Sequence, residues 1–258
     1  MTIKTNRYTL NEQEATYFAD QFKMARAAAL LDGEDFKEIL FALERFGSFL
    51  IHKADPLSQL MSAINEVACE SPLAKEIPKK HKSWHIPFSD LYEMVMTARN
   101  DALHQGAVAR HLTTHAIELS IILEDALMGE MKKVSYLMVR NPVCAYFWQP
   151  ISFVRQAMLV NSFSYLPLQV EGGRWTLISD RKVAQYLRVN SDMRKERMAK
   201  TISQAHSDGD LKFEKASWCS SEDGTDKALI KMSHRPLLVH LPEQRKHLIG
   251  ILSPFDLL

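Results

Sequence analysis

The sequence predicts a multidomain chain: an all-α helical bundle over residues 1–130, followed by an α+β tandem repeat over residues 131–258. Three observations carry this. Between residues 10 and 128, apolar side chains recur at helical spacing in one segment after another. Beyond Gly129 the pattern changes to short apolar runs separated by Gly, Pro and Asn, which read as strands and turns. One of those runs also occurs twice, Ser233-His234-Arg235-Pro236-Leu237-Leu238-Val239 echoing Ser164-Tyr165-Leu166-Pro167-Leu168-Gln169-Val170. A chain of 258 residues is long enough to bury two separate cores.

In the first half, Asn11 followed three residues later by Glu14 is a capping-box pattern that starts a helix ending before Gly33. A second helix places Phe36, Ile39, Leu40, Leu43, Phe46, Phe49 and Leu50 on one stripe. Asp55-Pro56 opens a third. The stretch from Ser71 to Phe88 carries three prolines and is expected to be a loop. Pro87 or Ser89 launches a fourth long helix, with Leu91, Met94, Val95, Ala98 and Ala102 facing inward, and Gly106 breaks it. Val108, Leu112, Leu119, Ile122, Leu123 and Ala126 mark the last helix of a bundle joined by short links.

The penultimate helix ends in Arg99-Asn100-Asp101-Ala102-Leu103-His104. At about 100° per residue, Asn100 and His104 lie one above the other, and Arg99 sits roughly 140° around from His104, within reach of its long side chain. One short stretch thus offers a guanidinium for a phosphate, an amide for positioning and an imidazole for proton transfer. This Arg-polar-x-x-x-His pattern, on the penultimate helix of a bundle, resembles the active motif of the HEPN ribonucleases. The likeness spans residues 10–128, with sharp identity confined to residues 99–106. It implies metal-independent endonucleolytic cleavage, in which the RNA 2′-OH attacks the adjacent phosphate and leaves a 2′,3′-cyclic phosphate and a 5′-OH. His104 is then the general acid or base, Arg99 the clamp on the charged phosphorane, and Asn100 the orienting amide. A homodimer would bring two copies of the motif together. The plain structural alternative is an Arg99–carboxylate ion pair and a His104 that caps the helix end.

Two further features of this half are weaker. Lys79, Lys80, His81 and Lys82, with Trp84 and His85, form a basic stretch with an aromatic that could track an RNA backbone and stack a base; a solvated loop is the alternative. His111, His115 and Glu118 share a helix face, but with no fourth ligand they read as a buried or interface pair, and no metal is expected.

In the second half, Ile151 to Val160 reads as a helix, the run from Ser164 as a strand, Glu171-Gly172-Gly173 as a tight turn and the run ending in Ser179 as the next strand. Leu248-Ile249-Gly250-Ile251-Leu252-Ser253 echoes that last strand, with five more residues in the hairpin of the second copy. Arg194, Lys195, Arg197 and Lys200 are expected on the exposed face of a helix between the copies. Two β-α-β-β-α copies of this size, with Gly250-Ile251-Leu252-Ser253-Pro254-Phe255-Asp256 at the end, are similar to a tandem pair of CBS domains, a Bateman module. The resemblance implies an adenine nucleotide (AMP, ADP or ATP) as regulatory ligand. Ser253 and the following helix start would receive phosphate, and Asp256 would accept the ribose hydroxyls. In the first copy Ser179 is present, but Lys182 stands at the aspartate position, which suits phosphate rather than ribose. Arg235, just before Pro236, is expected to add a phosphate contact; a surface arginine is the alternative. One good adenosine position, at Ser253 and Asp256, is therefore expected; a capped strand-to-helix turn is the alternative.

Composition narrows the classes. A formal net charge of +1 excludes a global field for nucleic acid, so any RNA contact is local. No helix-turn-helix pattern supports a transcription factor. Cys69, Cys144 and Cys219 are too few and too scattered for a metal or disulfide framework, and no apolar leader or spanning stretch is present, so a cytoplasmic protein without membrane attachment is expected. The combined expectation is a dimeric endoribonuclease set by an adenine nucleotide, of a kind suited to a toxin, stress or anti-phage role. The alternative is a non-catalytic nucleotide sensor whose helical half dimerises or docks a partner.

Overall fold

A computed structural model describes residues 2–5, 8–102, 109–129, 133–245 and 247–258. The chain divides into two compact units, residues 1–131 and 132–258.

The first unit opens with a hairpin of β1 (Thr2–Lys4) and β2 (Thr9–Asn11), an element that the sequence reading did not anticipate. Asn11 then caps α1 (Glu12–Leu31) through the expected box: its side chain accepts from the Glu14 amide at 3.0 Å, and Glu14 accepts from the Asn11 amide at 2.8 Å. Helix α2 (Phe36–Ile51) buries Ile39, Leu40, Leu43, Phe46 and Leu50, while Phe36 and Phe49 are half-buried. It packs closely on α3 (Leu57–Ala68), because a Cβ on Gly47 would stand 2.8 Å from Leu60 Cβ. The proline-rich stretch is not all loop. It holds the short α4 (Glu76–Lys80), where Pro78 falls in the first turn and its missing N–H removes no helical bond.

Helix α5 (Phe88–Ala102) buries Phe88, Leu91, Tyr92 and Val95, and the Tyr92 hydroxyl donates to the Leu57 carbonyl at 2.8 Å. Met94, expected inside, is 45% exposed. The stripe runs through Tyr92 instead, whose hydroxyl finds a carbonyl and so permits burial. Helix α6 (Ala109–Met128) packs on α1, α2, α3 and α5 and buries Leu112, Leu119, Leu123 and Leu127.

An ion pair links the first and last long helices of this bundle. Arg26 of α1 meets Glu124 of α6 with Nε and Nη2 each 2.8 Å from a carboxylate oxygen, and Ser120 donates to the same carboxylate at 3.1 Å. The fork-to-fork geometry is what makes a largely buried pair tolerable. Glu124→Ala strands the Arg26 guanidinium, so an expected loss of about 3 kcal/mol should appear in urea unfolding. Replacing both partners together by Met and Leu should recover most of it; an equal loss in the double variant would contradict this account.

The second unit begins with α7 (Val134–Leu137), and the strand that follows is only β3 (Val139–Arg140). Then come β4 (Ala145–Tyr146), α8 (Ile151–Asn161), β5 (Tyr165–Gln169), β6 (Trp175–Ser179) and α9 (Asp180–Tyr186). Helices α10 (Ser191–Ala199) and α11 (Ile202–Ser207) lead to the second copy. That copy consists of β7 (Ser217–Ser220), α12 (Thr225–Lys231), β8 (Leu237–His240), β9 (Gly250–Leu252) and a closing turn of 3-10 helix, Pro254–Leu257. Strands β4, β5 and β6 make one sheet, and β3, β9, β8 and β7 the other.

The two copies exchange their leading segments. The segment before the first copy packs in the second: β3 pairs with β9, and Val134 and Met138 sit in a core with Cys219, Leu237, Val239 and Leu252. The segment before the second copy packs in the first: Glu214 bridges to Leu177 of β6, and Ile202, Ala205 and Leu211 share a core with Val154, Leu166 and Ile178. The backbone bonds repeat. Val134 N–H donates to Asp223 O as Ile202 N–H donates to Gln149 O, both at 2.9 Å. The turn side chains match too, with Asp223 accepting from the Ser220 amide at 3.0 Å and Gln149 from the Tyr146 amide at 2.9 Å. Each core is therefore closed by chain that belongs, in sequence order, to the other copy.

The register corrects the sequence echo. Leu166 stands opposite Ile178, and Leu237 opposite Leu252. With the serines at positions 179 and 253 aligned, Leu237 is the counterpart of Leu166, two residues from the match that the prolines suggested. The enlarged hairpin thus holds three extra residues rather than five. A slip of two keeps each side chain on its own face, so the apolar pattern alone does not reveal it. Along α10, Arg194 and Lys195 are exposed as expected, whereas Arg197 lies over the Tyr186 ring at 4.8 Å and pairs with Asp210 at 2.8 Å, and Lys200, just past the helix, reaches Asp208 at 3.0 Å.

Asp223 anchors the turn before α12, accepting from Lys227 at 2.7 Å and Lys231 at 3.1 Å besides the Ser220 amide. Burial works to raise its carboxyl, but these donors outweigh it and hold the group well below the usual carboxylate range. A depressed folded-state value gives stability that is complete at neutral pH and lost as pH falls through the carboxylate range toward that value. Asp223→Asn should cost about 1 kcal/mol at pH 7. The gap between thermal melts of the two proteins should begin to narrow below about pH 4 and close only well below the usual carboxylate range; a gap that does not narrow as pH falls would contradict the assignment.

Candidate functional site

Four of the five residues assigned to ligand binding fall at two matching places, the strand-to-helix turns that end β6 and β9, and Arg235, just before β8, reaches the first of them through Glu214. At the second, Asp256 Oδ2 accepts from the Ser253 hydroxyl at 2.8 Å and from the Ser253 amide at 2.7 Å. Both residues are half-buried. A carboxylate held beside a hydroxyl on a rigid strand end can exchange that hydroxyl for those of a diol, while the serine turns to an anionic oxygen. The same bonds also serve the turn as a capping box.

The first place is built differently. Ser179 is 2% exposed, and its hydroxyl donates to Glu214 Oε1 at 2.7 Å. It also caps α9, accepting from the Lys182 amide at 3.4 Å. Arg235 belongs here, with Nε 4.0 Å from Glu214 Oε2 and Nη1 donating to the Lys215 carbonyl at 3.3 Å. Tyr165, opposite Ser179 on the ladder, has its phenol pushed up by burial and by the Glu214 charge, against a smaller lowering by Arg235. Ser179, Lys182 and Arg235 are thus gathered around one turn, and Ser253 with Asp256 at the other. Glu214 was missed. Nothing in its local sequence marks it, and it emerges only when the copies are aligned on their serines, which sets it opposite Leu177 as Val139 is set opposite Ile251.

In the helical unit, Arg99 and Asn100 occupy adjacent positions in the last turn of α5. His104 lies outside the described residues. Lys79, Lys80, His81, Lys82 and His85 are all exposed, and Trp84 is 84% exposed. His115 and Glu118 are half-buried on α6. Among the described residues no group of three or more His, Cys, Asp or Glu could hold a metal ion, and no helix is long and apolar enough to cross a membrane. The thiols at positions 144 and 219 are pushed up to about 11 by burial, which leaves them poor nucleophiles at neutral pH.

No family model matches the chain, and no curated protein matches it. Among solved structures, half of the chain is similar to CBS-domain proteins. One is a CBS-domain-containing protein from Agrobacterium tumefaciens, at 16% identity and a TM-score of 0.38, covering 50% of this chain and 92% of that one. A second is CBSX2 in complex with AMP, at 16% identity and a TM-score of 0.35, covering 48% and 92%. A third is the CBS domain pair of protein MJ0100 in complex with 5-methylthioadenosine and S-adenosyl-L-methionine, at 19% identity and a TM-score of 0.36, covering 48% and 95%. The ligands named there are those of the neighbours.

Proposed function

We propose that the second unit is a CBS-type pair that takes one adenine nucleotide at Ser253 and Asp256, and that this ligand sets the activity of a HEPN-type endoribonuclease in the first. The observation that carries the nucleotide reading is the Ser253–Asp256 pair, fixed at the end of β9. Asp256 accepts the ribose diol and Ser253 donates to a phosphate oxygen. Strand β9 also supplies the route of control. Its partner β3 is the first strand after the helical unit in sequence, so a ligand that shifts β9 acts on the chain leading back to that unit.

The ribonuclease reading rests on the Arg99-Asn100-x-x-x-His104 pattern and on the continuity of α5 through Ala102, which carries Arg99 and Asn100 at fixed helical positions. His104 moves the proton between the 2′-OH, the leaving 5′-oxygen and solvent, and Arg99 holds the phosphorane with two parallel hydrogen bonds. The exposed Trp84 with its neighbouring lysines supports contact with single-stranded RNA by stacking and charge. The test is cleavage of total RNA without added metal by the wild type beside His104→Ala. Cleavage by the wild type alone, with cyclic-phosphate ends, supports the reading. Equal cleavage by both removes His104 from the chemistry, and the helical unit is then a dimerisation or docking domain.

A further inference from the structure

The two matching turns of the second unit differ in what faces their serine. At the first, the Ser179 hydroxyl and the Arg235 guanidinium converge on one carboxylate, that of Glu214, at 2.7 and 4.0 Å. The backbone of Glu214 is held in place here. Its amide and carbonyl are bonded to Leu177 at 2.9 and 3.0 Å, and Thr176 donates to the same carbonyl at 2.6 Å. At the second turn the equivalent ladder position holds Val139, which has no group to offer, and Ser253 bonds to Asp256 instead.

We infer that Glu214 is a built-in anion that closes the first turn: its carboxylate occupies the place where Ser179 and Arg235 would otherwise receive a phosphate group. A hydroxyl donor and a guanidinium around one point form an anion position, and here the chain supplies the anion itself. An incoming phosphate would meet the carboxylate charge at contact distance, in a setting where water screens it poorly. The first copy is therefore held shut, and one chain takes one nucleotide. This stoichiometry rests on the reading of Ser253 and Asp256 given above; the closure at Ser179 does not. With Lys182 at the place of Asp256, an opened first turn would favour phosphate groups and discriminate little in favour of ribose.

The test uses the full chain and isothermal titration with inorganic pyrophosphate and, separately, AMP. Glu214→Ala is expected to bind pyrophosphate at least about tenfold more tightly than the wild type. The gain should vanish when Ser179→Ala or Arg235→Ala is added. Glu214→Gln, which keeps the shape of the side chain and one acceptor oxygen for Ser179 but loses the charge and the oxygen facing Arg235, should show a smaller gain in the same direction; it carries the test if the alanine variant does not fold. No gain in a folded variant, or a gain that survives Ser179→Ala, overturns the closure. AMP is expected to bind the wild type at one per chain and to bind Asp256→Ala about ten- to a hundredfold more weakly. Two per chain in the wild type also overturns the closure. A pyrophosphate gain without any AMP binding keeps the closure and removes the nucleotide reading at Ser253.

Discussion

His104→Ala is expected to lower RNA cleavage by at least about a hundredfold, the usual scale for losing a positioned general acid or base. An imidazole titrates near neutral pH, so a single group can take the 2′-OH proton and supply one to the leaving oxygen with little adjustment of its pKa. Alanine leaves no positioned group to move the proton, only Arg99, Asn100 and bulk water. Arg99→Lys should cost a similar factor for a different reason, because a lysine ammonium makes no paired parallel bonds to the phosphorane. The two variants separate by pH. Removing the titrating group flattens the rate profile between about pH 5 and 8, whereas losing the clamp lowers the whole profile and keeps its shape. Size-exclusion chromatography of both variants establishes that the assembly is unchanged. A His104→Ala protein that retains wild-type turnover would end the catalytic assignment.

Asp256→Ala is expected to weaken AMP binding by about ten- to a hundredfold, the effect of removing a charged acceptor from two hydroxyl bonds. The same change removes the bonds to the Ser253 hydroxyl and amide, so the turn itself loses about 1 kcal/mol. Asp256→Asn separates these effects. The amide oxygen still accepts and preserves most of the cap, while the charge-assisted bonds to a diol are lost. Affinity should fall in both variants, and stability mainly in the alanine one. Ser253→Ala leaves the carboxylate and should cost less affinity than Asp256→Ala. Equal affinity in the wild type and Asp256→Asn would move the nucleotide away from this turn.

Much of the helical unit was legible because local signals and packing agreed. The Asn11–Glu14 box, the stripe of α2 and the Pro56 start all lie where composition and period put them. The departures have physical causes. Pro78 breaks no bond in a first turn, so a proline-rich stretch still formed α4. Tyr92 displaced Met94 from the core because its hydroxyl reached the Leu57 carbonyl, a partner that sequence periodicity does not reveal.

In the second unit the repeat was visible, but its closure was not. The exchange of Val134–Met138 and Ile202–Leu211 between the cores is a long-range pairing with no local signature. The proline echo misplaced the register by two residues because a strand shows the same face every second position. That slip also hid Glu214. Once the serines are aligned, the contrast of Glu214 with Val139 follows, and Arg235 moves from a general phosphate contact to the Ser179 turn. The Ser253–Asp256 pair was legible as a motif, and its bonds are the ones that a capped turn makes by itself, so function there is decided by ligand.

The measurement that bears most directly on nucleotide control of cleavage is the rate of RNA cleavage by the wild type and by Asp256→Ala, each titrated with ATP and with AMP in the absence of metal. The wild-type rate is expected to change several-fold with one of the nucleotides, the result of a coupling of about 1–3 kcal/mol. Asp256→Ala is expected to cleave the same RNA at a rate that no longer responds at those concentrations. A wild-type rate indifferent to both nucleotides, or an Asp256→Ala protein that responds as the wild type does, would contradict that control.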